Sequence, residues 1–272
     1  MNQTLITSVN TLSQLQKKLD IISNNIANID TNGYKRRDAS FTDLLNQNVM
    51  NMLRPNEEAG RLTPTGIRVG TGARIAQTQM AGTQGNISQT ERQLDFAFTK
   101  ENQFFKVLVQ ENGRGKIHYT RDGSFAVTPV NANEVMLVTK EGRPVLGENN
   151  QPITFRTDSG DITLEAGGRL RAGGQTFNLG VVEVKKPQLL TQAGSNLLTL
   201  PDNPAIAENQ VLQELTAAGR AEIALQQGTL EKSNVDLAKE MTESLNVQRA
   251  YQFQSRTISL ADQMMGLING VR

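Results

Sequence analysis

Leu19-Asp20-Ile21-Ile22-Ser23-Asn24-Asn25-Ile26-Ala27-Asn28-Ile29-Asp30-Thr31-Asn32-Gly33 is an apolar stripe that runs into a stop. Leu19, Ile22, Ile26 and Ile29 recur at the three- and four-residue spacing of one helix face. Asp30, Thr31, Asn32 and Gly33 end the pattern, and Gly33 can take the left-handed conformation that closes a helix. Traced backwards, Leu5, Leu12, Leu19 and Ile26 form one seven-residue row, and Leu15, Ile22 and Ile29 form a second. No Pro or Gly interrupts 4–29, so one helix is expected there.

The far end of the chain carries a matching signal. Leu237, Tyr251, Ile258 and Met265 keep one seven-residue row, broken by Ser244. Val247, Ala261 and Ile268 keep another, broken by Gln254. Phe253, Leu260 and Leu267 add a stripe on a different face. Ser233-Asn234-Val235-Asp236 has the spacing of a capping box, and the helix is expected to run to about Ile268. Paired rows make a seam for a partner helix. Such rows usually pack inside their own molecule. Here they sit at both extremes of the chain with little other apolar surface, which favours assembly between copies.

Between the helices the pattern changes. Phe41, Leu44, Leu45, Val49 and Met52 suggest a further helical or loosely helical stretch. Pro55, Gly60, Pro64, Gly66, Gly70 and Gly72 then break any long element, so a loop or extended arm is expected over 54–72. From 73 to about 184 short β-rich runs alternate with turn signals: 73–80, 103–110, 117–120, 125–127, 135–138, 153–155, 162–164 and 179–184. The turns include Asn112-Gly113, Asp122-Gly123, Glu141-Gly142, Gly167-Gly168 and Gly173-Gly174. Short strands with Gly turns at close intervals indicate an antiparallel β domain. A last strand is expected at 196–200, and the helical pattern resumes after Gly228.

Composition narrows the function. The 272 residues are 37% apolar and only 4% aromatic, with no Trp, which suits a thin core better than a dense enzyme. Net charge is +1, too small a field to steer nucleic acid. The run Lys35-Arg36-Arg37 reads as a solvated helix end. Without Cys, disulfides and thiolate chemistry are excluded. No stretch approaches the roughly 20 apolar residues that span a bilayer, and no basic-then-apolar leader opens the chain. No membrane insertion and no cleaved secretory signal are therefore expected.

Chemistry is equally sparse. His118 is the single histidine, expected on the surface or across a strand pair. Gly113-Arg114-Gly115-Lys116 lacks the spacing and hydroxyl of a phosphate loop and reads as a hairpin turn. Asp158-Ser159-Gly160-Asp161 has too few oxygen ligands for a calcium loop and reads as a turn. No catalytic, cofactor or metal site is expected.

The quoted stretch and its continuation Tyr34-Lys35-Arg36-Arg37 resemble the N-terminal motif of bacterial flagellar rod and hook axial proteins. That motif has the form Asn-Asn-Ile/Leu-Ala-Asn, then Asn/Asp-Thr-x-Gly-Phe/Tyr-Lys; Asn24, Asn25, Ala27, Asn28, Thr31, Gly33, Tyr34 and Lys35 match it. Gln84-Gly85-Asn86 through Leu94-Asp95, then Phe104-Phe105, then Tyr119-Thr120-Arg121-Asp122-Gly123-Ser124-Phe125 is similar to the family's middle signature. The run from Gln227 through Glu231, Ser233, Asn234, Val235 and Asp236, then Glu240-Met241 and Gln248-Arg249-Ala250-Tyr251, is similar to its C-terminal signature. The family usually has Gly-x-Gly-Phe-Phe before its first long strand, whereas this chain reads Glu101-Asn102-Gln103-Phe104-Phe105. Phe96-Ala97-Phe98 likewise replaces a small aliphatic pattern.

The resemblance implies an α+β protein whose terminal helices pair as a coiled-coil-like assembly domain, 1–53 with 229–272. A Gly-rich antiparallel β domain at 73–228 lies beyond the 54–72 arm. It implies a homo-oligomer in a helical tube with other rod and hook proteins as neighbours. It also implies passage through the flagellar type III export apparatus to an extracytoplasmic basal body. Chain length and the 54–72 insertion look most like the distal-rod type and its close paralogues; a proximal-rod or hook subunit is the alternative, and a rod-associated cap or wall-lytic enzyme fits less well. The expected interface residues are Leu5, Leu12, Leu15, Leu19, Ile22, Asn24, Asn25, Ile26, Asn28 and Ile29 at the start. At the end they are Leu237, Met241, Val247, Tyr251, Ile258, Ala261, Met265 and Ile268.

Overall fold

A computed structural model describes residues 2–43, 46–49, 67–70, 73–111, 113–157, 160–194, 196–201 and 207–270. Its helices are α1 (Asn2–Ala27), the one-turn α2 (Glu208–Val211) and α3 (Leu237–Gly270). The chain forms two compact units: Met1–Asn24 with Arg37–Thr78 and Leu237–Arg272, and Asn25–Arg36 with Gln79–Asp236.

The first unit holds most of α1, all of α3 and two strand pairs. Arg37–Asp43 pairs with Ala73–Met80, and Asn46–Val49 runs antiparallel to Ile67–Gly70. The helix expected around Phe41 and Val49 is therefore corrected to strand; Leu44, Leu45 and Met52 lie outside the described residues. Asp38, Ser40 and Thr42 weaken a helix there, since their side chains compete for backbone bonds or crowd a helix turn, and the strand pairing decides the outcome. Most of the expected 54–72 arm also lies outside the described residues, and Ile67–Gly70 within it is a strand.

The second unit is the antiparallel β-rich part. Its largest sheet runs Thr191–Gln192, Leu197–Thr199, Arg114–Thr120, Gln103–Glu111, Val181–Val184, Leu212–Glu214. All five contacts in it are antiparallel. Two three-stranded sheets accompany it: Thr154–Arg156, Glu134–Thr139 and Phe125–Pro129, and Thr163–Glu165, Arg169–Ala172 and Gln175–Asn178. Two further pairs join Phe96–Phe98 to Leu225–Gln227 and Ile87–Gln89 to Thr229–Glu231. Strand alternation along Gln103–Glu111 splits the core: Phe105 and Val107 enter one cluster with Phe96, Phe98 and Phe125, while Phe104 enters another with Tyr119, Val182 and Val184.

The expected β runs each overlap a strand, but Ile87–Gln89, Phe96–Phe98, Arg169–Ala172 and Gln175–Asn178 are strands outside them. Helix does not follow Gly228 at once, because Thr229–Glu231 is a strand and α3 starts at Leu237. Ser233 is accordingly not the helix cap; its hydroxyl accepts from the Val235 amide in a local turn, three residues short of the helix. His118 is not a surface residue: it is buried opposite Val107, so the apolar face of the hairpin claims it.

Candidate functional site

Three distant parts of the sequence meet on one carboxylate in the β-rich unit. Glu231 is fully buried. Its Oε1 accepts from Lys35 Nζ at 2.7 Å and from the Gly85 amide at 2.9 Å. Its Oε2 accepts from Arg121 Nε, and its backbone carbonyl accepts from the Gly33 amide at 2.8 Å. Lys35 Nζ also donates to the Thr83 carbonyl at 2.8 Å. Arg121 spends its other nitrogens on the carbonyls of Gln103 and Lys100, at 3.0 and 2.9 Å. Its guanidinium lies over the rings of Phe98 and Phe104. Two cations thus share one anion in a site closed to water. Burial, then the neighbouring Arg121 charge, hold the Lys35 ammonium below the usual lysine value, against the pull of Glu231.

Asn234 completes the knot. Its Oδ1 accepts from the Arg36 amide at 2.6 Å, while its Nδ2 donates to the carbonyls of Ala81 and Thr83, at 3.2 and 2.9 Å. Tyr34 is buried and donates its hydroxyl to Asn25 Oδ1 at 3.1 Å. Thr31 donates to Asn28 Oδ1. The Lys35-Arg36-Arg37 run is therefore no simple solvated end, since Lys35 is consumed inside the β unit.

Two glycines allow the parts to touch. Gly33 has φ +68°, and a Cβ there would lie 2.5 Å from the Asp122 nitrogen. At Gly123 a Cβ would run into the carbonyl oxygen of Phe96. The departure from the family pattern at 101–103 is also resolved. Asn102 takes φ +60°, a conformation its short polar side chain tolerates. Gln103 is buried, donating Nε2 to the Glu222 carbonyl at 2.9 Å and accepting from the Ala224 amide at 3.3 Å. Asp122 Oδ1 accepts from the amide and hydroxyl of Ser124, and burial pushes its carboxyl above the ordinary value.

The terminal helices form the second candidate surface. On α1, Ser8 and Ile22 are buried and Leu15 half-buried, so the second seven-residue row is the covered one. Leu5, Leu12, Leu19, Ile26 and Ile29 are half-buried, and Asn24 is exposed. On α3 the covered row is Glu240, Val247 and Ala261, with Gln254 half-buried. Ile258 and Met265 are half-buried, while Leu237, Met241, Tyr251 and Ile268 are exposed. Lys18 pairs with Glu243 at 3.3 Å, one described tie between the two helices. The stripe of Phe253, Leu260 and Leu267 stands open, at 66%, 59% and 71% exposure, with Met264 between.

The residues singled out in the sequence thus separate by place. Gly33, Tyr34, Lys35, Arg121, Asp122, Gly123 and Asn234 gather at or beside the knot. Phe125 goes to the main core, and Tyr119 to the second cluster, where its hydroxyl donates to Glu208 at 3.0 Å. Gln248 and Arg249 are exposed on α3. Glu231, Gly85 and Gln103 lay within quoted stretches with no role attached, and Thr83 carried no signal. A charged residue in the short apolar context Thr229-Leu230-Glu231 was the clue available. No helix among the described residues is long and apolar enough to cross a membrane.

Three family models match stretches of this chain. "Flagella basal body rod protein" matches 5–35, "Flagellar hook protein FlgE/F/G D1 domain" matches 100–172, and "Flagellar basal body rod FlgEFG protein C-terminal" matches 226–271. The flagellar hook-basal body complex protein FlhP of Bacillus subtilis (strain 168) is 43% identical over 280 residues, 100% of both chains. The flagellar basal-body rod protein FlgG of Buchnera aphidicola subsp. Acyrthosiphon pisum (strain APS) is 35% identical over 268 residues, 93% of this chain and 94% of its own. FlgG of Borreliella burgdorferi (strain ATCC 35210 / DSM 4680 / CIP 102532 / B31) is 33% identical over 281 residues, 100% and 99% of the two chains. With each of its three signatures matched in order and relatives aligned from end to end, the chain belongs to the flagellar basal-body rod protein family and is a structural subunit of the basal body.

Proposed function

We propose that this chain is a distal-rod-type subunit whose copies stack helically into the axial tube that carries torque from motor to hook. The observation that carries it is the open Phe253, Leu260 and Leu267 row on α3. A single copy covers one row of each terminal helix and leaves this one in water. Burying such side chains stabilises by roughly 1.5–3 kcal/mol each, so neighbouring copies are the natural cover. The terminal-helix residues named above, in 1–24 and 237–272, belong to the assembly domain, and the β-rich unit of 25–36 and 79–236 faces outward. The distal assignment is supported by the relatives named FlgG, and the FlhP relative supports a hook-basal body role more broadly. Partners are further copies, the adjoining rod and hook proteins, and the flagellar type III export apparatus during delivery; no cofactor enters and no reaction is catalysed. Electron cryo-microscopy of basal bodies carrying this chain tests the position. Density for it between proximal rod and hook, in many helically related copies, is the expected result. A few copies at a tip, or density within the hook, would overturn the distal-rod assignment.

A further inference from the structure

The knot around Glu231 is electrically lopsided, and the imbalance has a direction. Lys35 and Arg121 both point at Glu231, and the side chains of all three are at most 5% exposed. Remove Lys35 and a neutral Arg121–Glu231 pair remains. Remove Glu231 and two buried cations face each other with only the exposed Glu101 as a nearby acid, an arrangement a buried site tolerates poorly. The backbone repeats the dependence. The Gly33 amide is held by the Glu231 carbonyl and the Arg36 amide by Asn234, so both of these donated amides are held from 231–234; the carbonyls of Asn32 and Arg36 are held elsewhere, by Asn196 and the Ala81 amide. The strand Thr229–Glu231, by contrast, has its own supports, with Thr90 donating to the Gly228 carbonyl at 2.7 Å and Lys232 donating to the Asn86 carbonyl at 2.8 Å.

We propose that Glu231 is a one-way closure latch: residues 25–36 dock on the β unit only once the strand carrying Glu231 is in place, whereas that strand docks without them. Lys35 and Glu231 are 196 positions apart. The N-terminal segment therefore waits for nearly the whole chain before it locks. The proposal rests on the geometry of the β unit alone and is independent of the assembly reading.

Native-state hydrogen exchange on the full chain tests it, with Glu231→Gln and Lys35→Met. In Glu231→Gln the Gly33 and Arg36 amides should lose protection by about 100-fold, the fold-change that corresponds to the roughly 3 kcal/mol cost of breaking a buried pair. In Lys35→Met the same two amides should lose about tenfold, while Thr90 and Lys232 keep wild-type protection. The Lys106 and Leu108 amides, bonded to Gly180 and Pro144, are the internal reference and should not change in Lys35→Met. Wild-type protection at Gly33 and Arg36 in Glu231→Gln overturns the proposal. So does a Lys35→Met protein in which Thr90 and Lys232 open as far as Gly33. Should Glu231→Gln fail to fold, the Lys35→Met pattern decides: loss confined to Gly33 and Arg36 supports the latch, and no loss, or loss at all four, refutes it.

Discussion

Gly33 sits at φ +68°, and a Cβ there would lie 2.5–2.9 Å from backbone atoms of Arg121 and Asp122. An L side chain there meets both a conformational cost of about 1–2 kcal/mol and an atom that cannot move aside. Gly33→Ala should therefore destabilise the β-rich unit by at least about 2 kcal/mol, read as a lower urea midpoint with the slope unchanged. An unshifted midpoint would mean that the contact with Arg121 and Asp122 yields easily. His118 makes a different case. It is buried with neither ring nitrogen hydrogen-bonded, and Glu111 Oε1 is 3.7 Å away. Burial lowers its ionisation below the usual 6.5; Glu111 opposes that shift, and Lys116 and Arg143 add to it. The unfolded imidazole therefore takes up a proton that the folded one refuses, between the usual value and the lowered one. Stability should fall as pH drops through that window. Tm measured against pH should show this slope in the wild type and lose it in His118→Leu, which should melt no lower at neutral pH. A slope that persists in the variant would assign it to other groups. Of these residues Gly33 was legible from its turn context, whereas the burial of His118 depends on which strand face the hairpin register selects.

At the scale of elements, the two long helices were legible because seven-residue rows survive without tertiary knowledge. Their rows turn out unequal. Ile22 is buried within the single chain, while Leu260 is open. Asp at the two places should separate the roles. Ile22→Asp should lower the stability of one copy by about 3 kcal/mol or more, because it buries an unpaired charge. Leu260→Asp should leave the melting of an isolated copy within about 0.5 kcal/mol of wild type. Circular dichroism melts of both variants at low concentration check this, and equal losses would show that the two rows do the same work. The strands around Phe41 and Val49 were misread as helix because their apolar spacing suits both periods. Only pairing with Ala73–Met80 and Ile67–Gly70 decides it, and pairing is not written in local sequence.

At the scale of the molecule, the unexpected feature is where the first segment divides. Residues 25–36 belong with the β-rich unit through Lys35, Arg36 and Gly33, although they continue the N-terminal signature in sequence. Charges 196 positions apart cannot be paired by reading along a chain, so the division was illegible there. A fragment 25–236 should accordingly fold as a β-rich monomer. One trimmed to 37–236 should lose at least about 1.4 kcal/mol, the tenfold expected for losing Lys35 alone, since Glu231 keeps Arg121 but loses Lys35 and the Gly33 amide. Urea unfolding of the pair measures the difference, and matched midpoints would show that 25–36 adds nothing to the unit. The larger claim is that the open α3 row joins one copy to the next. The most direct measurement is sedimentation velocity of the purified full chain against Leu260→Asp across a concentration series. The wild type should form long polymers above a threshold, and Leu260→Asp should raise that threshold at least about tenfold, the loss of one buried leucine contact. Polymers of Leu260→Asp at the wild-type threshold would contradict the account.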